Sequence, residues 1–352
     1  MTPPVSTADR PLSFFFDSTE QEPQPWGLAG SDWAVQMKQA LQAKPHPLHR
    51  LAVRPADADL IVMCEPTQLS QQTWAPRLRH HPLVRAHAEK IYVASEEDEP
   101  LGFFPGLYCS LPKASFDPRI HRTWIYRGTL NPFIAGQRRA ERAAEPPLLA
   151  AFAGAASHPV RRQLLALATK MARSRIGVRE TVSCRFNADP ANPALRSDQL
   201  DYIEHILGAK FALCPRGTGT GSFRLQEAMA LGRAPVIISD AWVPVKGPDF
   251  SGFAVFVREA ELAQLPAILE AHEPRWREMG RRAQAAWADY FDPENYHHRA
   301  LDQLADIAWN RIPDQPEIAP ARWHRLIKTE ERRRKGPLFS RIVRRLRRMA
   351  RP

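Results

Sequence analysis

The sequence is short of cysteine and of glycine. Its four cysteines, Cys64, Cys109, Cys184 and Cys214, lie far apart and no C-x-x-C occurs. Zinc-ribbon and thioredoxin-like readings therefore have no support. Four such cysteines in a chain of 352 residues read as small buried apolar groups in a reducing compartment. Seventeen glycines against 33 prolines leave no room for a collagen-like period and imply many turns. No apolar run approaches the roughly 18–20 residues that cross a bilayer. The longest uncharged stretch, Pro146–Val160, is alanine-rich and broken by His158-Pro159. Met1–Arg10 lacks the basic-then-apolar order of a signal peptide. These absences predict a cytoplasmic protein.

Net charge is also missing from most of the chain. The formal total is +11, but residues 322–352 hold 13 of the 49 basic residues and two of the 38 acidic ones. That leaves 36 of each sign in residues 1–321, so the high pI belongs to the tail. No specific nucleic-acid partner is expected of the body. A hydrophobic fraction of 44% and a charged fraction of 25% are those of a globular protein with a real core.

What is present is alternation. Leu12–Phe16, Asp59–Met63 and Lys90–Ala94 read as buried strands, with a helix over Trp33–Leu41 between the first two. The text from Pro100 to Phe133 is Pro- and aromatic-rich and resists assignment. Residues 137–147 read as a linker. A second alternation follows, with strands at Leu148–Ala153, Phe211–Cys214, Ala234–Ile238 and Ala254–Val257. Helices are predicted over Val160–Met171, Asp198–Leu207, Ser222–Leu231, Glu259–Glu270, Arg275–Tyr290 and Pro293–Trp309. The pattern is two α/β domains in series. Their boundaries are 1–136 for the first, 148–292 for the second, 293–321 for a helix packing back on the body, and 322–352 for the tail.

The most informative segment is Phe211–Asp240, FALCPRGTGTGSFRLQEAMALGRAPVIISD. A strand enters Gly217-Thr-Gly-Thr-Gly221, and the loop opens a helix capped by Ser222. A helix N-terminus offers free N–H groups to phosphate, and glycine lets the backbone approach closely. Arg216 and Arg224 flank the loop. Glu227, three residues after Arg224, shares its helix face and is placed to accept from ribose hydroxyls. An Arg and a Glu at that spacing also make an ordinary surface pair. No Lys-Ser or Lys-Thr follows the glycines, so this is not a P-loop. Strand, Gly-x-Gly, helix, strand and Asp240 also sketch a dinucleotide fingerprint. Against that reading stand Ser222 at the third glycine position, the late place in the chain, and Arg216 between strand and glycine.

Phe211-Ala-Leu-Cys-Pro-Arg-Gly217, Gly221-Ser-Phe-Arg-Leu-Gln-Glu-Ala228 and Gly232-x-x-Pro-Val-Ile-Ile-Ser-Asp240 resemble the signature of the exostosin-type glycosyltransferases. Weaker similarity lies at Pro55–Val62 and at Phe152-Ala-Gly154 with Arg161. The resemblance implies a GT-B fold, with two Rossmann-like domains facing a cleft, the acceptor side first and the nucleotide-sugar side second. It implies an inverting, metal-independent transfer with no cofactor. Arg216, Gly217, Gly221, Ser222, Arg224 and Arg161 would then hold the donor diphosphate, and Glu227 the ribose. Ser157, His158, Ser239 and Asp240 are further candidates for donor contacts. Two departures are visible. Pro248-Asp249-Phe250 stands where family members often carry Asp-Trp. Pro235 stands where many retaining GT-B enzymes carry a second glutamate, which agrees with inversion.

Inverting transfer needs a general base. It is expected at the carboxyl ends of the first domain's strands, facing the cleft. Asp17 is preferred, because a first strand usually lies near the sheet centre. Glu65 and the Glu96–Glu99 cluster are alternatives, as are His46, His49, His80, His81 and His158. His297-His298 reads as part of a solvated helix.

Within the tail, residues 332–335 are all basic. Leu338, Phe339, Ile342, Val343, Leu346 and Met349 then fall on one helical face among arginines. A basic amphipathic helix reads as an anchor on anionic membrane. The expected protein is a bacterial transferase on the inner membrane face. It would move a sugar from a nucleotide-diphosphate sugar, UDP-sugar favoured, to a glycan or lipid-linked glycan acceptor. The rival readings are an NAD(P)-dependent oxidoreductase and a non-catalytic nucleotide- or lipid-binding module.

Overall fold

The protein is described from a computed structural model. The described residues are 10–18, 33–64, 81–126 apart from 101 and 103, 131, 133–134, 145–181, 193–311, and the single residues 325 and 328. Glu65, His80, Cys184, residues 137–144 of the expected linker and nearly all of the tail lie outside them.

Two all-parallel sheets carry the fold. The first comprises β1 (Ser13–Ser18), β2 (Arg50–Leu51), β3 (Leu60–Cys64), β4 (Ile91–Ser95), β5 (Gly106–Tyr108) and β6 (His121–Thr123), in the order β2-β1-β3-β4-β5-β6. The second comprises β7 (Leu148–Gly154), β8 (Ile176–Glu180), β9 (Ala209–Pro215), β10 (Ala234–Ile238) and β11 (Val255–Val257), in the order β11-β10-β9-β7-β8. The two parallel α/β units implied by the resemblance are therefore present. Strands buried on both faces need apolar side chains, which is why β3, β10 and the Phe211–Cys214 stretch of β9 read as apolar runs.

Nine α-helices accompany the sheets among the described residues. They are α1 (Trp33–Ala43), α2 (Pro82–Ala86), α3 (Pro159–Ala166), α4 (Ala168–Ala172), α5 (Pro193–Leu207), α6 (Arg224–Ala230), α7 (Leu265–His272), α8 (Trp276–Tyr290) and α9 (Tyr296–Asn310). Two expected helices are interrupted. Val160–Met171 breaks at Leu167, and Glu259–Glu270 opens as a 3-10 turn over Glu259–Gln264 before α7 begins with Pro266 in its first turn. Proline lacks the N–H that a continuing helix would use, but suits a first turn.

The units share a core. One cluster runs from Phe14, Trp33 and Trp124 to Ala151, Leu225 and Met229. Helix α9 belongs to the first unit although it follows the second. Trp33 Nε1 donates to Tyr296 Oη at 2.7 Å, and Arg122 Nε donates to Asp306 Oδ2 at 2.7 Å. His297 lies at 3% exposure against the 44–49 segment, where its ring meets the Lys44 carbonyl oxygen at 3.3 Å. That corrects the expectation of a solvated His297: the face of α9 carrying it is docked. Cys64, Cys109 and Cys214 are buried, with no disulfide among the described residues.

In the second sheet the chain leaves β7 outward to β8, then returns to β9 on the other side and continues to β10 and β11. The carboxyl ends of β7 and β9 thus border a topological switch point, the place where open α/β sheets bind ligands. Between β1 and β3 the first sheet has its own switch point, with Asp17 beside it. Strand β1 is second from the sheet edge, so the reason given for preferring Asp17, a central first strand, does not hold.

Candidate donor site

The loop after β9 is anchored from beneath. Arg161, one turn into α3, donates from Nη2 to Pro215 O at 3.1 Å, from Nε to Arg216 O at 3.0 Å and from Nη1 to Ala155 O at 3.4 Å. It is 5% exposed. In this conformation the expected diphosphate ligand also clamps the loop backbone, with carbonyl oxygens accepting from each of its three nitrogens.

Arg224 is buried as well. Its Nε donates to Ala153 O at 2.6 Å, and the guanidinium lies over the Phe223 and Phe152 rings at 4.7 and 5.2 Å. Gly154 makes room for it, since a Cβ there would collide with Nη2. Helix α6 begins at Arg224 with Phe223 as its N-cap, and no side chain caps it. The expected Ser222 cap is corrected to a backbone contact, in which Leu225 N donates to Ser222 O at 3.0 Å.

Glu227 has no exposed surface. Its Oε2 accepts from Tyr202 Oη at 2.6 Å, and its Oε1 from Asn131 N at 3.2 Å. Burial pushes this carboxyl up to about 7, against the Tyr202 hydrogen bond, the Arg224 charge and the Asn131 N–H. The surface-pair reading of Arg224 and Glu227 falls on this burial. Both oxygens thus have protein partners here.

Above these buried groups lies the face of the loop. Arg216 Nη2 donates to Thr218 O at 3.3 Å, and Nη1 lies 3.9 Å from Glu259 Oε1. Three buried polar atoms here have no hydrogen-bond partner among the described residues: Arg216 Nε, Thr220 Oγ1 and Ser222 Oγ. Buried polar groups are nearly always paired, so three orphans in seven residues call for a ligand. All are hydrogen-bond donors, the complement of an oxyanion.

The other expected donor contacts converge on the same loop. A Cβ at Gly217 would lie 3.4 Å from Ser157 Oγ. His158 caps α3, its Nδ1 accepting from Val160 N at 3.3 Å, and burial and the nearby Arg216 hold its ring below the usual histidine range. Ser239 Oγ donates to Thr220 O at 2.8 Å. Asp240 Oδ1 accepts from Glu259 N at 3.1 Å, and Glu259 Oε1 accepts from Asp240 N at 3.2 Å. Glu259 was missed by the sequence reading. Its signal was its place just past a parallel strand's carboxyl end.

The first unit closes over the loop. Thr220 N donates to Ser110 Oγ at 2.6 Å, and Lys113 N to Ala241 O at 2.8 Å. A Cβ on Gly219 would stand 2.7 Å from Asp98 Oδ1 and 2.8 Å from Tyr126 Oη, and would overlap Ser110 Oγ. Only glycine permits so close an approach. Asp17 lies elsewhere, with His81 Nε2 3.5 Å from its Oδ2.

Among the described residues one group has metal-ligand composition: His46, His49 and Asp302. Both imidazoles present Nδ1 to backbone N–H groups, of Leu48 and His49 for His46 and of Leu12 for His49. A neutral ring accepting at Nδ1 keeps its proton on Nε2. His46 Nε2, 3.2 Å from Asp302 Oδ1, is thus an N–H donor, and His49 Nε2 carries its proton too, which suits a hydrogen bond to Asp302 and not a cation.

The segment that holds this loop is similar to known proteins. Residues 131–272 match the family model of the Exostosin GT47 domain. Exostosin-1 of Drosophila melanogaster is 31% identical over 130 residues, covering 36% of this chain and 17% of that protein. The Exostosin-1 homolog of Caenorhabditis elegans is 32% identical over 128 residues, 34% of this chain and 32% of that one. The chain thus spans less than a third of either relative. An α1,3-fucosyltransferase structure covers 87% of the chain at 13% identity, with a TM-score of 0.40. The exostosin resemblance is borne out over residues 131–272, which hold the whole loop and every clamp beneath it.

Proposed function

We propose that the chain is a glycosyltransferase. It binds a nucleotide-diphosphate sugar, UDP-sugar favoured, and transfers the sugar with inversion to a glycan or lipid-linked glycan acceptor. The observation that carries this is the set of unpartnered buried donors, Arg216 Nε, Thr220 Oγ1 and Ser222 Oγ, at the β7/β9 switch point. The exostosin match over the same residues supports it.

In this reading the three donors take diphosphate oxygens. They stabilise the charge that grows on the leaving group as the anomeric bond breaks. Arg161 and Arg224 hold the loop in shape and add positive potential beneath it. Ser157, His158, Ser239, Asp240 and Glu259 surround the nucleoside end. Arg216 supplies the cation that a metal ion would otherwise bring, so transfer is metal-independent. The basic tail would hold the enzyme at an anionic membrane surface on the cytoplasmic side.

The test is nucleotide release from a panel of UDP- and GDP-sugars, with glycan fragments as acceptors, in excess chelator. Release from at least one donor, undiminished by chelator, is expected. Strict dependence on added manganese would count against the mechanism, and oxidation of a substrate with NAD or NADP against the class.

A further inference from the structure

We infer that Asp98 is the carboxylate that takes the acceptor's proton, an assignment that rests on the donor-site reading above. Asp98 follows β4 at the carboxyl end of the first sheet, on a solvent-accessible stretch. Glu96 and Glu97, its neighbours, are buried. Its Oδ1 accepts from Tyr126 Oη at 3.0 Å and would lie 2.7 Å from a Cβ on Gly219. The carboxylate therefore belongs to the first unit but touches the donor loop of the second, where an acceptor and an anomeric carbon would meet.

The second observation is independent of the acidic cluster. Thr220, the next loop residue, is 2% exposed, and its Oγ1 has no partner while its N–H is held by Ser110. Thr220 follows Gly219, the residue that meets Asp98, so its buried hydroxyl without a partner marks a missing polar ligand on the loop that the carboxylate touches.

The groups facing Asp98 are Tyr126 beyond β6, Arg161 from α3, the Gly219 N–H of the loop, and Glu99 beside it. Crowding by protein raises its carboxyl above the ordinary value, although Tyr126, Arg161 and Gly219 pull the other way. A raised carboxyl is the stronger base. Asp17 is less well placed. Its strand is separated from β4 by β3, roughly 10 Å at ordinary strand spacing, while the loop lies over the ends of β4 to β6.

The step balances without a further reactant. The acceptor hydroxyl gives its proton to the Asp98 carboxylate. The acceptor oxygen bonds the anomeric carbon as the bond from that carbon to the diphosphate oxygen breaks. The electron pair leaves on the diphosphate held by Arg216, Thr220 and Ser222.

Asp98→Asn, Asp98→Glu, Tyr126→Phe and Asp17→Asn test it. UDP and GDP are the binding probes, and nucleotide release from UDP- and GDP-sugars is the turnover assay. Asp98→Asn should bind nucleotide within about twofold of the parent and lose about 10²–10⁴-fold in release. Asp98→Glu should recover part of it. Tyr126→Phe removes a hydrogen bond that holds the carboxyl down, so the acid limb of its kcat–pH profile should move to higher pH. Equal release by Asp98→Asn and the parent overturns the assignment. So does loss in Asp17→Asn alone. Loss of nucleotide affinity together with turnover in Asp98→Asn makes the residue a latch on the loop, which overturns it too. A parent that neither binds UDP or GDP nor releases them from any donor defeats the donor-site reading, and the base with it.

Discussion

Tyr202 donates its phenolic hydrogen to Glu227 Oε2 at 2.6 Å inside the second unit, where the carboxylate has no exposed surface. The Asn131 N–H is on the other carboxylate oxygen. The pair joins α5 and α6 to a segment that arrives from the first unit.

The pair makes stability depend on pH in a defined direction. The folded carboxyl is raised to about 7 from an ordinary 4.5, with burial as the main cause. A raised carboxyl costs nothing below pH 4.5, where both states are protonated. The cost grows as pH rises and is complete above about 7, reaching about 3 kcal/mol. Glu227→Gln mimics the protonated form. Its melting temperature should match the parent's at pH 4.5 and exceed it at pH 8. A difference that is constant across this range would remove the buried, proton-linked Glu227.

Gly219→Ala probes the contact between the units. The added methyl meets Ser110, Asp98 and Tyr126, so the first unit must withdraw from the loop. Overpacking of this kind costs about 1–3 kcal/mol. Chemical denaturation should show that loss, and donor turnover should fall at least tenfold. Parent-like stability and turnover would mean the units stand further apart.

Asp306 ties α9 to the first unit through Arg122 and to the second through Lys246, whose Nζ donates to Oδ2 at 2.7 Å. Burial alone would raise this carboxyl, but the Lys246 and Arg122 hydrogen bonds hold it below its ordinary value. Its contribution is therefore full above pH 3.8 and is lost as pH falls through the lower folded value. Asp306→Asn strands the largely buried Arg122 and should cost about 3 kcal/mol at pH 7. The gap should narrow in acid. A neutral-pH cost near zero would show that the Asp306 pairs do not hold α9.

The tail offers a separate check. Deleting residues 332–352 removes ten basic residues and the apolar stripe. Co-sedimentation with anionic vesicles should drop sharply, and the parent's should weaken with salt. Turnover of a soluble acceptor should change little. Equal sedimentation of the two proteins would exclude the tail as the anchor.

Much of the site could be read from the chain. Buried parallel strands are rich in apolar residues, so Phe211–Cys214 of β9 and Ala234–Ile238 of β10 stood out, and the glycines between them marked the loop. What covers the loop could not be read. Strands β5 and β6 are three residues each, Gly-Leu-Tyr and His-Arg-Thr, with no periodicity to find. Yet their ends deliver Ser110 and Tyr126. Nor was the burial of Arg224 legible. A cation at a helix start reads as exposed until the Ala153 carbonyl, 71 residues earlier in sequence, is seen beneath it. Arg161 was legible as a partner of the loop but not as its clamp, because its acceptors are backbone oxygens that have no sequence signal.

Calorimetric titration with UDP, GDP, NAD and NADP, on the parent and on Arg216→Ala, tests most directly whether the loop after β9 is a nucleotide-diphosphate site. One nucleoside diphosphate should bind the parent with one-to-one stoichiometry. Arg216→Ala should bind it at least tenfold more weakly while melting within a few degrees of the parent. Binding of NAD or NADP alone, or equal affinity in the parent and Arg216→Ala, would show that the unpartnered donors of the loop serve some other ligand.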